Sequence, residues 1–341
     1  MAKGRRLLPH KASLSPEWTV PTVLVNDPWT FVSLWLKRNH KSSALFYWEQ
    51  ALEFHKASVG LPIQSAPLLL YYSFMNVVKA LLDSKSISYN PHHGVKSVVR
   101  AGGTRISIAN EVAQIKNSGI LPALSQYYGE TETRKKHSLK ELFFNLPYIH
   151  RTYCLTYPNQ TEMFLSLKEC GYAFDQTTRR AFLAANFSDN LPVGQAMRRL
   201  PNSFVAEPSF GPKAIRSTVS ANFSNQKRPT KADLCNLRDL HHQLRDDVFY
   251  INGAETLWYL KSTPAGTRRL ARRTPTITLA AMHRLSEICR YRPLELASHL
   301  AGQKNWLLTE FIQQSAAQFI DEIASEITGH QFLVPNVRPA K

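Results

Sequence analysis

At 341 residues, with 43% hydrophobic and 20% charged side chains, the chain is long enough to bury a full core and too apolar to stay disordered. Its 42 Lys and Arg against 25 Asp and Glu leave a formal charge of +17. A solvated surface needs no such imbalance, so the charge points to a polyanionic partner, nucleic acid ahead of an anionic membrane surface.

The four cysteines, Cys154, Cys170, Cys235 and Cys289, form no CxxC pair. That excludes a cysteine-rich zinc site and suits a reducing, cytoplasmic setting. The first residues, MAKGRRLLPHKASLSPEW, carry bases but no apolar segment after them, which excludes a secretory signal. No run of 18 apolar residues occurs, so no membrane span is expected. Residues 1–28, punctuated by Pro9, Pro16, Pro21 and Pro28, read as a basic arm.

A helical region is expected over 29–150. Residues 44–57 place Leu45, Trp48, Leu52 and His55 at spacings of three and four, and Gly60 and Pro62 end the helix. A second helix over 67–82 carries Leu68, Tyr71, Tyr72, Met75, Val78 and Leu82 on one face, with Pro67 in its first turn. After a turn at His92-His93-Gly94 come Gly102-Gly103, which no nucleotide-binding fingerprint accompanies, and the basic cluster Arg134, Lys135 and Lys136, which leads into a short helix over 138–144. That cluster suits either a nucleic-acid contact or a solvated loop.

From 151 to 262 short aromatic and β-branched stretches, such as TYCLTY, EMFLSLKECGYAF and DVFYINGAETLWYL, alternate with Gly, Pro and Asn. They read as a β-containing insert with a small sheet and one helix near 231–245. Arg268, Arg269, Arg272 and Arg273 follow as two adjacent pairs, candidates for phosphate contact or a solvated linker. The C-terminal region, 263–341, should hold helices over 277–290, 294–301 and 305–328. Pro293 excludes helical geometry at Arg292, which should sit at the break and cap the next helix. Adjacent histidines at His92-His93, and His241-His242 beside Asp246-Asp247, supply too few convergent ligands for a metal site. Nothing in the sequence calls for a cofactor: P-loop, nucleophile-elbow, HExxH and kinase motifs are all absent.

The stretch PLLLYYSFMNVVKALL, the HHG after it, and the ending CRYRPLELASHL with WLLTEFIQQSAAQFIDEIASEITG resemble the YaaC-like family of bacterial proteins. More distantly, the helical ends resemble HEPN-type domains, many of them RNA-binding or RNA-cutting modules of toxin and anti-phage systems. The resemblance implies a mainly α fold, α+β overall, in which the N- and C-terminal helices form a HEPN-like bundle around the β-containing insert. It also implies a basic, nucleic-acid-associated component of a bacterial stress or defence system, with a protein partner or a second copy of itself. One alternative is a metal-independent endoribonuclease in which Arg292 holds the scissile phosphate and His299, after six intervening residues, exchanges a proton with the 2′-OH or the leaving oxygen. Pro293 stands where that motif commonly has a polar residue. A protein-interaction scaffold is the other alternative.

Overall fold

The structure is a computed structural model and describes residues 7–98, 106–188, 192–225, 228–263 and 269–334. The first part of the chain runs β1 (Val23–Leu24), α1 (Trp29–Arg38), α2 (Ser42–Ser58), α3 (Ala66–Ser84), β2 (Val95–Val98), β3 (Val112–Ile115), α4 (Ile120–Tyr127), β4 (Lys136–Ser138), α5 (Leu139–Phe144) and α6 (His150–Thr156). There follow β5 (Phe164–Asp175), β6 (Arg180–Phe187), α7 (Val193–Met197), β7 (Phe204–Ala206), β8 (Ala214–Ser217), β9 (Ala221–Asn222), α8 (Lys231–Leu244), β10 (Val248–Ile251) and β11 (Leu257–Lys261). The chain closes with α9 (Thr274–Tyr291), α10 (Pro293–Ala301), α11 (Asn305–Thr328) and β12 (Phe332–Leu333). Two compact units result: a sheet unit of Met1–Leu24, Glu162–Thr267 and Gly329–Lys341, and a helical unit of Val25–Thr161 and Arg268–Thr328.

In the helical unit, every residue of α3 from Ser73 to Val78 is buried. A helix apolar on all sides belongs at the centre, and α2, α9 and α11 pack around this one. Phe74 stacks on Phe319 of α11 with ring centroids 4.4 Å apart. The unit also contains an antiparallel sheet ordered β2-β3-β4. Its strands are short and alternate: Val95, Ala113, Ile115 and His137 are buried on one face, while Lys96 and Lys136 are exposed on the other. Helix α9 packs against β2 and β3.

The sheet unit is built on seven strands, ordered β10-β11-β5-β6-β8-β7 with β9 paired to β6, and every pairing is antiparallel. Its core joins Tyr172, Leu183, Ile215 and Leu260 to Leu237, Leu240 and Leu244 of α8. A capping box between Thr230 and Asp233 starts α8 by satisfying backbone donors in its first turn. Of the stretch read as a basic arm, the described residues 7–24 belong to this unit. Lys11 is buried, and its Nζ donates to Asn252 Oδ1 (2.8 Å) and to the Phe332 carbonyl (2.5 Å). The strand β1 pairs in parallel with β12.

This architecture overturns the expected HEPN-like helical bundle with a β-containing insert. The large sheet organises a unit of its own, and three further strands lie inside the helical unit. Two physical features hid this. Strand β6, RAFLAANF, is rich in alanine and buried on both faces, so it lacks both β-propensity and alternation. Strands β2 to β4, three or four residues each, are too short to show a period. TYCLTY, expected among the strands, lies in α6, where tertiary packing overrides its β-branched composition.

Candidate functional site

The interior is close to electrically neutral. Among the described residues six acids (Glu111, Asp233, Asp247, Asp321, Glu322, Glu326) and six bases (Lys11, Arg245, Lys261, Arg272, Arg273, Arg284) are buried. The net +17 therefore lies on the remaining residues. Among the described residues, one sheet face aligns several of these bases. In the β2-β3-β4 sheet, Lys96 pairs with Gln114 and Gln114 with Lys136, so the three form a row across the outward face. Adjacent strands sit about 4.8 Å apart, which puts the two lysine Cα atoms roughly 10 Å from each other. Exposed Lys116 lies two residues beyond Gln114, and exposed Lys135 lies beside Lys136.

The HHG turn anchors one end of this sheet. Gly94 (φ 73°) and Gly119 (φ 126°) pack backbone to backbone: a Cβ on Gly119 would fall 2.3 Å from the Gly94 Cα. Neither position tolerates a side chain, so the glycines fix the turn against the start of α4, where Ile120 and Leu121 N–H groups donate to the His92 and His93 carbonyls. Lys116 N–H donates to the Gly94 carbonyl. The His93 ring then meets buried Tyr71, with Nδ1 and the phenol oxygen 2.6 Å apart. Burial, and then the positive charges of Lys79, His92 and Lys116, lower the His93 pKa and favour a neutral ring. Burial raises the Tyr71 pKa, so its hydroxyl stays protonated.

Behind the sheet lies a charge clamp centred on Glu111, which precedes β3 and is fully buried. Its Oε2 accepts from Arg284 (2.5 Å) on α9 and from Arg292 (2.8 Å) at the α9–α10 break. His299 Nε2 of α10 stands 3.8 Å from Oε1. Burial alone would raise the carboxyl pKa, but His299, Arg292 and Arg284 outweigh it and hold Glu111 at about 2. Arg292 also pairs with Glu295 (2.9 Å). Glu287 extends the cluster, accepting from Ser97 of β2 (3.2 Å) and lying 3.5 Å from both Arg284 Nη1 and His283 Nδ1. Burial, then the charges of His93, Arg284 and Lys116, lower the His283 pKa to about 3.

The two residues expected to share a catalytic role, Arg292 and His299, do converge, but on Glu111. Arg292 has φ −142°, as a residue before proline should. Its guanidinium is answered by two carboxylates and the His299 side chain is 5% exposed, so the geometry serves as a clamp joining β3, α9 and α10. The arginine run divides. Arg268 lies outside the described residues, and Arg269 is half-buried. Arg272 and Arg273 are buried, which removes them from a surface contact. Arg272 is held by Glu130 and Ser125 (3.0 Å each) and by the Glu132 and Arg134 carbonyls. Arg134 pairs with Glu141, which leaves Lys135 and Lys136 as the solvent-facing members of that cluster. His241 Nε2–H donates to the Ala12 carbonyl (3.0 Å) and Nδ1 lies 2.8 Å from the Tyr172 hydroxyl, which builds the ring into the core. Among the described residues no three His, Cys, Asp or Glu side chains could hold one metal ion, and no helix is long and apolar enough to cross a membrane.

Lys96, Lys116 and Glu111 carried no motif that sequence reading could use. The available signal was Glu111 itself, a lone acid between the apolar residues of ISIANEVAQI. The elements that build this site, α3, the HHG turn and the α9-to-α11 ending, fall within the match to the YaaC-like Protein family model, which spans residues 19–327. The chain belongs to that family. No curated protein matches it, and no solved structure does.

Proposed function

We propose that this YaaC-like chain is a nucleic-acid-associated protein that docks phosphates on the outward face of β2-β3-β4. The observation that carries the reading is the lysine row across that face, Lys96–Gln114–Lys136, extended along β3 by Lys116. Lysine ammonium groups on flexible stems suit contact with a phosphate backbone without reading sequence. Gln114, central in the row, adds a donor and an acceptor for sugar or base edges. The +17 of the chain, excluded from its interior, adds a long-range attraction that speeds encounter with a polyanion. Arg292 and His299 stay outside this reading, because the carboxylates of Glu111 and Glu295 already answer the arginine charge. Mobility shifts with single-stranded RNA and duplex DNA at two salt concentrations test the proposal. Binding that weakens with salt and falls on replacing Lys96, Lys116 and Lys136 supports it; absence of binding at low salt overturns it.

A further inference from the structure

In the sheet unit, alternation along β6 separates two sets of side chains. Ala181, Leu183 and Phe187 belong to the core shared with α8, whereas Phe182, Ala184 and Asn186 line a cavity of about 770 Å³. A cavity of that volume is the size of known small-molecule sites, roughly 300–1,000 Å³. One wall is aromatic: the Phe182 and Phe210 rings lie nearly parallel (8°) with centroids 6.2 Å apart, and Phe210 remains 39% exposed. Small residues, Ala173 and Ala184, leave the floor open.

The charges in this cavity run against those of the chain. Three acids, Glu169, Asp175 and Glu207, and one base, Arg216, line it. Glu207 neutralises Arg216, whose Nε donates to it at 2.6 Å. Asp175 is occupied by the turn that follows β5, accepting from the Thr177 N–H and the Thr178 hydroxyl. Glu169 is different. The β5–β6 register shifts between Lys168 and Gly171, and Glu169 sits in that bulge with φ 50°, a left-handed conformation unusual for a residue with a side chain. Its Oε2 accepts from Asn186 Nδ2 at 2.8 Å, which fixes an exposed carboxylate at the cavity. An exposed carboxylate, fixed by Asn186, therefore lines the same cavity as the aromatic wall, and the remaining charge of that cavity is negative.

We propose that this cavity binds a small organic cation with a flat apolar body, the body against Phe210 and the cationic head on Glu169. Both contacts favour positive charge, the ring through its quadrupole and the carboxylate through its charge. The negative lining rejects the polyanion for which the lysine face is suited, so the two sites are independent.

Benzamidine, a flat amidinium, is the probe, and benzoate, of the same shape and opposite charge, is the control. Titration calorimetry on the full chain should give millimolar-range benzamidine binding and none with benzoate. Glu169→Gln and Phe210→Ala should each weaken it by about tenfold, in keeping with one charge or cation–π contact. Both side chains are exposed enough that the melting temperature of each variant should match wild type, which separates a lost contact from a lost fold. Lys136→Ala should leave benzamidine binding unchanged. Equal binding of benzoate, absence of benzamidine binding, or binding indifferent to both cavity substitutions would overturn the proposal.

Discussion

Replacing Glu111 by glutamine tests the charge clamp with almost no change of shape. The carboxylate is fully buried and receives Arg284, whose side chain is 3% exposed, together with Arg292. Glutamine leaves Arg284 buried with Glu287 as its remaining acid, 3.5 Å away. Breaking a buried pair by removing one partner costs about 3–5 kcal/mol. The titration of Glu111 gives a second route. Its pKa falls from 4.5 to about 2 on folding, and at ~1.4 kcal/mol per unit that shift is worth about 3 kcal/mol. The two routes agree. Because the folded pKa is depressed, the contribution is fully present above pH 4.5 and is lost as the pH falls through 2. Urea denaturation of wild type and Glu111→Gln at pH 7 should differ by about 3 kcal/mol, and the gap should narrow as the pH drops from 4.5 toward 2. A variant within about 0.5 kcal/mol of wild type at pH 7, or a gap that persists unchanged at the acid end, would refute the clamp.

Two further substitutions probe the frame behind the basic face. Arg272→Ala should destabilise by about 3–5 kcal/mol in the same urea assay, because it strands Glu130, whose side chain is 1% exposed; a change within experimental error would return Arg272 to the surface role read from the sequence. Gly119→Ala should cost at least about 2 kcal/mol, since its new Cβ meets Gly94 Cα at 2.3 Å at a φ of 126°, and a stability equal to wild type would contradict the backbone packing assigned to the HHG turn.

The long helices were legible because each needs one continuous apolar face, and local spacing reports that face. Helix α11 runs over Asn305–Thr328, as its periodicity indicates, and the break at Arg292 follows from the proline after it. The sheets were less legible because their evidence is non-local. Strand β11 finds β5, and β6 finds β8 and β9, through pairings that no local period encodes. Charge was the most misleading signal. Two adjacent arginine pairs read alike whether they face water or acids, and the acid that meets buried Arg272 is Glu130, 142 residues earlier. Arg292 and His299, read from their spacing as a catalytic pair, meet at Glu111, a residue remote in sequence and without a motif. Lys96 and Lys136 gain their meaning from a two-step register through Gln114.

The central claim is that polyanions dock on the lysine row, and the salt dependence of binding tests it most directly. Single-stranded RNA affinity should be measured across a salt series for wild type and for the Lys96→Ala, Lys116→Ala, Lys136→Ala triple variant, three exposed positions whose loss leaves the core intact. The account predicts that the slope of log affinity against log salt becomes shallower by about 2, near 0.7 for each lysine lost on a single strand. A wild-type protein that binds with the same slope as the triple variant would contradict it.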